Sequence, residues 1–332
     1  MNTKERIREL TRRLRLAHDE IRPLSLLIKA MFNDVRDVTS IFNKYYESKF
    51  DHLDPEEEQL LNKRHSYFEV EGDFYLVRNA RSGYVYIVFG DATGHFAYAG
   101  GLKLFIAMGL KRIFDRHLNS KTKPLTAEQV VMALDDEFQR VGRAALRDNR
   151  RKPLEHGANL IVIRIHPADQ TADYASAGIP ARAIMSDGTL KQYGEMLDAK
   201  SLMFPSSLRP KRRLTPEVGT FSIDQVAYLA FVTDGFQNLG RSNKKGTDEP
   251  DETMGHNAID KALLRPFKQK PLGELTASHL VDSVIRQARN WRRNYFVPET
   301  TDDDRLVLVF DVRRFRVARL KKTRRLSQRI NL

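Results

Sequence analysis

No cysteine occurs among the 332 residues, which excludes disulfides, thiolate metal sites and a cysteine nucleophile. No apolar run approaches the roughly 18–20 residues of a membrane span. The opening stretch MNTKERIRELTRRLRLAHDE is charged where a signal peptide needs an apolar core. The expectation is a soluble cytoplasmic protein. The chain also lacks a Gly-rich nucleotide phosphate loop, a histidine pair at metal-ligand helical spacing and an internal repeat of fixed period. The final segment VRRFRVARLKKTRRLSQRINL (312–332) has no acid and carries nine of the 56 basic residues. Set against 43 acids and a net charge of +13, those nine make the charge mostly a property of the tail. Nucleic acid, an anionic membrane, an acidic protein or solvent could each meet it.

With 41% hydrophobic residues, the chain is rich enough for one large core or for a core with an attached module. Residues 7–45 place Ile7, Leu10, Leu14, Ala17, Ile21 and Leu24 three and four apart, and the pattern runs on to Tyr45. A repeat averaging about 3.5 residues turns one helical seam toward a partner, as in coiled coils. Pro23 interrupts it with a kink or a turn, so either a dimerising helix or a helical hairpin within one subunit satisfies the pattern. A further helix is expected over 51–65, with Asp54 as cap and Pro55 in the first turn.

Beyond this leader the periodicity changes. Residues 67–77 and 83–91 read as paired strands around a turn at Asn79–Gly83, followed by helices near 98–118 and 126–147. Strands are expected near 158–166, 171–176, 180–185 and 226–233, a helix at 275–294 carrying the lone Trp291, and a last strand at 306–312. Strands in runs, with helices inserted together, indicate an α+β layering with antiparallel sheets. The polar segment 241–257 reads as a mobile loop.

Acids abut several of these strands: Asp91 follows YIVFG, Asp234 follows AYLAFVT, Asp302, Asp303 and Asp304 precede RLVLVF, and Asp73 stands in EGDFY. A carboxylate at a buried strand end costs several kcal/mol unless a positive charge meets it. A lone acid there is commonly a turn former, whereas four such places suggest a shared cation. An all-carboxylate set without cysteine favours magnesium or manganese over zinc.

In this order, EGDFYLV (71–77), FGDATGHFAYAGGLKLFIAM (89–108), TADYASAGIPARAIMSDGTL (171–190), AYLAFVTDGFQN (227–238) and DDDRLVLV (302–309) resemble the motifs of the PPM metal-dependent serine/threonine protein phosphatases, in their bacterial SpoIIE-like branch. The resemblance implies an α-β-β-α sandwich of two antiparallel sheets with a two-metal site at one edge. It divides the chain into a helical, coiled-coil leader (1–65) for dimerisation or regulation, a phosphatase domain (66–312) and a basic tail (313–332). Carried over by position, it implies that Asp91 bridges two Mn2+ or Mg2+ ions and that the Ala92 carbonyl joins the second ion's shell. Asp234 and Asp303 would hold the first ion, and Asp73 would position the attacking water. Asp303 is preferred to its neighbours because the family ligand precedes the final apolar run by three residues. Asp91 and Asp73 are thus the implied catalytic residues, acting through a hydroxide shared by cations about 3.5–4 Å apart. Gly90 and Gly94 would let the backbone turn sharply near the ions.

The implied substrate is phosphoserine or phosphothreonine on a protein, in this branch a small STAS-domain regulator of a partner-switching pathway, and the implied assembly is a homodimer through the leader. The chain departs from the family pattern at Glu71, Leu76 and Phe96 and in Ser176-Ala177-Gly178-Ile179, which loses polar side chains but is expected to keep its turn, and it keeps every implied ligand acid. His95 does not take the place of the histidine that follows the metal-binding pair in type 2C enzymes; Thr93 stands there. Two other readings stay open: an inactive PPM-like scaffold, and nucleic-acid binding through the tail.

Overall fold

The computed structural model describes residues 73–80, 83–92, 97–117, 124–148, 157–195, 201–203, 214–241, 251–293 and 305–315, and the backbone of 46–50. The heptads of 7–45, the helix expected at 51–65, Thr93–Phe96, Asp302–Asp304 and the tail beyond 315 lie outside the described residues.

In chain order the elements are β1 (Tyr46–Phe50), β2 (Phe74–Asn79), β3 (Val85–Ala92), α1 (Ala97–His117), α2 (Ala127–Asp148), β4 (Gly157–His166), β5 (Thr171–Ala177), β6 (Ala181–Met185) and β7 (Leu190–Tyr193). There follow β8 (Leu202–Met203), β9 (Glu217–Ser222), β10 (Val226–Val232), α3 (Asp234–Gln237), β11 (Gly240–Arg241), β12 (Glu252–Thr253), α4 (Gly255–Leu264), α5 (Ala277–Arg292) and β13 (Leu306–Asp311). One sheet runs β1-β13-β10-β6-β7 and the other β2-β3-β4-β5-β9, with β8 beside β4; the ladders are antiparallel. The α+β sandwich expected from the sequence is the observed architecture.

The central strands are apolar on both faces because both faces are covered. Along β3, Val85, Ile87 and Phe89 face the opposite sheet, while Tyr86 and Val88 face α1 and α2. Along β10, Leu229 and Phe231 point inward, and Tyr228, Ala230 and Val232 meet α4 and α5. Three apolar layers result: helix on sheet, sheet on sheet, and sheet on helix. Val130, Val131, Leu134 and Phe138 supply the buried stripe of α2 at helical spacing. A reciprocal cap starts that helix: the Gln129 N–H donates to Thr126 Oγ1 (3.2 Å) and the Thr126 N–H to Gln129 Oε1 (2.9 Å). The Ala127 N–H also donates to Asp173 Oδ2 (2.7 Å), which anchors the helix to β5.

Three sequence boundaries shift. Tyr46–Phe50, assigned to the leader, is a strand in register with β13, Tyr46 opposite Phe310 and Phe50 opposite Leu306. The polar run 241–257 is not loop throughout: Glu252–Thr253 pairs with Gly240–Arg241, and α4 starts at Gly255. Its pattern is weak because so short a hairpin buries little. The start of the basic tail is also part of the body. Arg313 stacks 4.5 Å over the Tyr228 ring and donates to the carbonyl oxygens of Leu272 and Leu275, and Phe315 is buried 5.4 Å from the Phe310 ring. The stem and planar head of the side chain cover apolar surface while its N–H groups meet these oxygens.

A buried arginine fastens α4 to its sheet. Arg182 is fully enclosed on β6; its Nε donates to Asp260 Oδ1 (2.7 Å), and its Nη2 lies 3.0 Å from His256 Nδ1. Partial burial, and then the Arg182 charge, hold the His256 imidazole below its usual range against the opposite pull of Asp260. A neutral ring accepts the Arg182 proton; a protonated ring cannot. Because the unfolded chain binds that proton more readily, the contribution is complete above the unfolded value of about 6.5 and is lost as pH falls below it. Urea midpoints at pH 7.5 and 5.5 should therefore drop more for the parent than for His256→Gln; equal drops would remove His256 as the cause.

Candidate active site

Register decides what gathers at the sandwich edge. Phe74 pairs with Gly90 and Asp91 with Asn159, so Asp73, Asp91 and Asn159 follow one another across β2, β3 and β4. Side chains directly opposite on antiparallel strands share a face. Asp91 does not end its strand, since Ala92 continues β3 and pairs with Ala158. Gly90 is required by close approach, not by a sharp turn. A Cβ there would meet Asn159 O and Phe74 Cζ at 2.6 Å, so three strands close to a distance that no other residue permits. Gly94 lies outside the described residues.

Thr233 and Asp234 arrive from the other sheet. Thr233, fully buried where β10 runs into α3, places its hydroxyl 2.9 Å from Asp73 Oδ2. The Leu306 N–H donates to Thr233 Oγ1 (3.0 Å), and the Thr233 N–H donates to the Leu306 carbonyl (3.1 Å). The beginning of β13 is thereby fixed beside Asp73, with Asp302–Asp304 directly preceding its buried Arg305 in the chain. Asp73 is 1% exposed; Asp91 and Asp234 are half-buried, and Asp234 Oδ1 is sealed from solvent.

Of the residues implied by the sequence, Asp73 and Asp91 are thus side by side at one end of their sheet, Ala92 follows Asp91 with its side chain toward the helices, and Asp234 follows the Thr233 that bonds Asp73, while Asp303 is outside the described residues. Among the described residues, no three histidine, cysteine, aspartate or glutamate side chains form a cluster that could hold a metal ion by themselves. The donors that do converge are oxygens, a chemistry that fits magnesium or manganese and not a thiophilic ion.

Sequence reasoning missed three polar participants. Asn159 is buried opposite Asp91 and is hydrogen-bonded through Oδ1 by the buried Ser201 hydroxyl. A polar residue opening the apolar run GANLIVIRI was a visible hint for Asn159; Ser201 offered none, because it precedes a strand of only two residues. Thr233 was quoted within its motif without a role. The sequence Ser176-Ala177-Gly178-Ile179 does keep its turn: Gly178 has φ of 91°, and the Ser176 hydroxyl donates to the Ile179 carbonyl at 2.8 Å.

The family model described as stage II sporulation protein E matches residues 81–313, more than half of the chain. The chain belongs to the SpoIIE family. With it comes the PPM type of serine/threonine phosphatase architecture, into which the two sheets and their helical layers fit. Among solved structures, the SiaA-PP2C domain of Pseudomonas aeruginosa is similar at TM-score 0.57 and 15% identity, covering 90% of this chain and 98% of that one. An arginine-to-glutamate variant of a bacterial serine phosphatase is similar at TM-score 0.50 and 14% identity, over 80% of this chain and 97% of that one. At such identities the likeness is one of fold. No curated protein matches the chain. Among the described residues, no helix of this SpoIIE-family chain is long and apolar enough to cross a membrane.

Proposed function

We propose that this SpoIIE-family chain hydrolyses phosphoserine and phosphothreonine on a protein substrate. The observation that carries the reading is the meeting of Asp73, Asp91 and the Thr233–Asp234 pair at one edge between the two sheets of a PPM fold. Asp91, the Ala92 carbonyl, Asp234 and Asp303 would hold two divalent cations, Mn2+ or Mg2+. When bound, such ions lower the pKa of water and offset charge on phosphoryl oxygens. Asp73, enclosed and hydrogen-bonded, orients the attacking water. The half-buried Asp91 and Asp234 keep the site negative, so a phosphoryl group can approach only a cation-loaded edge. No protein nucleophile is needed, since phosphoryl transfer depends chiefly on positioning and electrostatics.

A phosphorylated STAS-domain regulator is the proposed substrate class, on the resemblance of the motifs to those of the partner-switching branch. The leader is proposed to dimerise and regulate. It has a route to the site, because β1 follows it and pairs with β13, whose first residue bonds Thr233. Purified full-length protein should turn over p-nitrophenyl phosphate and a phosphothreonine peptide with Mn2+, and stop on chelation. Absence of turnover together with absence of Mn2+ binding by calorimetry would leave the scaffold reading.

A further inference from the structure

We infer that Thr233 is a positioning residue of this site: its buried hydroxyl fixes the orientation of the Asp73 carboxylate and locks the two sheets together where the site forms. The inference rests on the phosphatase reading and adds a residue to its machinery.

The geometry constrains the hydroxyl proton. Thr233 Oγ1 lies 2.9 Å from Asp73 Oδ2 and 3.4 Å from the Leu306 carbonyl, and it receives the Leu306 N–H at 3.0 Å. One proton cannot serve both oxygens, and the carboxylate is the nearer acceptor and the charged one. The hydroxyl therefore donates to Asp73 and accepts from Leu306. Donor and acceptor roles are both used, so the hydroxyl cannot rotate without losing a bond in a fully buried place.

The consequence for Asp73 is directional. With Oδ2 held by Thr233, rotation of the carboxylate about its Cβ–Cγ bond is restricted and its plane is set. The same bond crosses between sheets: Asp73 leads into β2 of one, whereas Thr233 and Leu306 belong to the ends of β10 and β13 in the other. Asp234 follows Thr233 directly, so sliding of one sheet over the other would separate Asp73 and Asp91 from Asp234. A single hydroxyl thus sets both the angle of one acid and the spacing between acids from different sheets. Valine has nearly the same shape and neither hydrogen-bonding role.

The test uses full-length Thr233→Val, Thr233→Ala and Thr233→Ser, each checked for folding by circular dichroism. Mn2+ affinity is measured by calorimetry, and kcat and KM with a phosphothreonine peptide. Valine is expected to lower kcat and Mn2+ affinity by about 10–100-fold, the range for groups that orient metal-site residues. KM should change little, and serine should restore both quantities to within a few-fold of the parent. Alanine, the fallback if the valine protein does not fold, lacks the same hydroxyl and should lose both quantities at least as much. In an Asp73→Asn background, Thr233→Val should cost little more, because the two act as one unit.

A folded valine or alanine protein with parental kcat and Mn2+ affinity overturns the inference and leaves the phosphatase reading standing. Additive losses in the double variant would reduce Thr233 to a purely structural role. A parent that neither binds Mn2+ nor turns over the peptide overturns the phosphatase reading itself, and this inference with it.

Discussion

Asp91→Asn is expected to lose Mn2+-dependent hydrolysis by on the order of 10³-fold while folding normally. The amide keeps the shape of the carboxylate, so the pairing of β3 with β4 across Asp91 and Asn159, and the close packing around Gly90, are undisturbed. What would be lost is a negative charge that the proposed site uses to hold its divalent cations. Cation stabilisation of a phosphoryl-transfer transition state is worth several kcal/mol, and each 1.4 kcal/mol or so is tenfold in rate. Stability should move the other way. Without metal, Asp91 lies beside Asp73 on the neighbouring strand, and removing one of two adjacent carboxylates relieves repulsion. The metal-free variant should therefore unfold at an equal or higher urea concentration than the metal-free parent. Activity assays and denaturation on the same preparation separate the two effects. Parental turnover in the variant would remove Asp91 from the site.

Phe231→Ala carries the largest expected loss of stability, about 3–5 kcal/mol, the usual cost of truncating a buried phenylalanine. Phe231 on β10 and Phe89 on β3 are both fully buried, and their rings stack between the two sheets with centroids 5.4 Å apart. Neither ring can be replaced by relaxation of one sheet alone, because each lies in the middle of a paired ladder. A cavity at this point also lies two residues from Thr233 on one strand and, through Phe89, two residues from Asp91 on the other. Against a typical total of about 5–15 kcal/mol, such a loss should leave much of the chain unfolded near growth temperature. Urea titration of Phe231→Ala and of the milder Phe231→Leu measures the cost. If alanine costs no more than leucine, the two sheets do not depend on this contact.

The legible parts of the fold were those whose residues repeat a burial pattern locally. Long apolar runs such as VYIVF and VAYLAFV marked their strands, and the spacing of Val130, Leu134 and Phe138 gave α2. Short or exposed elements were not legible. The strand β7 has no buried residue, β12 has two exposed ones, and β9 buries only Phe221, so none shows an alternation strong enough to read. The strand β1 was hidden for another reason: YESKF continues a heptad-like leader, and only the neighbouring edge of β13 makes it a strand.

At the site the division is similar. The sequence by itself determined the acids and their chemistry: Asp73, Asp91 and Asp234 each stand beside an apolar strand, no thiol competes with them, and the motifs containing them keep the family order. Composition and order are properties of the chain and survive without coordinates. Only the tertiary structure decided that Asp91 continues its strand opposite Asn159, that Ser201 holds that asparagine, and that Thr233 bonds an aspartate 160 positions earlier. Hydrogen bonds between strands of different sheets depend on register and sheet packing, which arise from the whole core and leave no local periodicity behind.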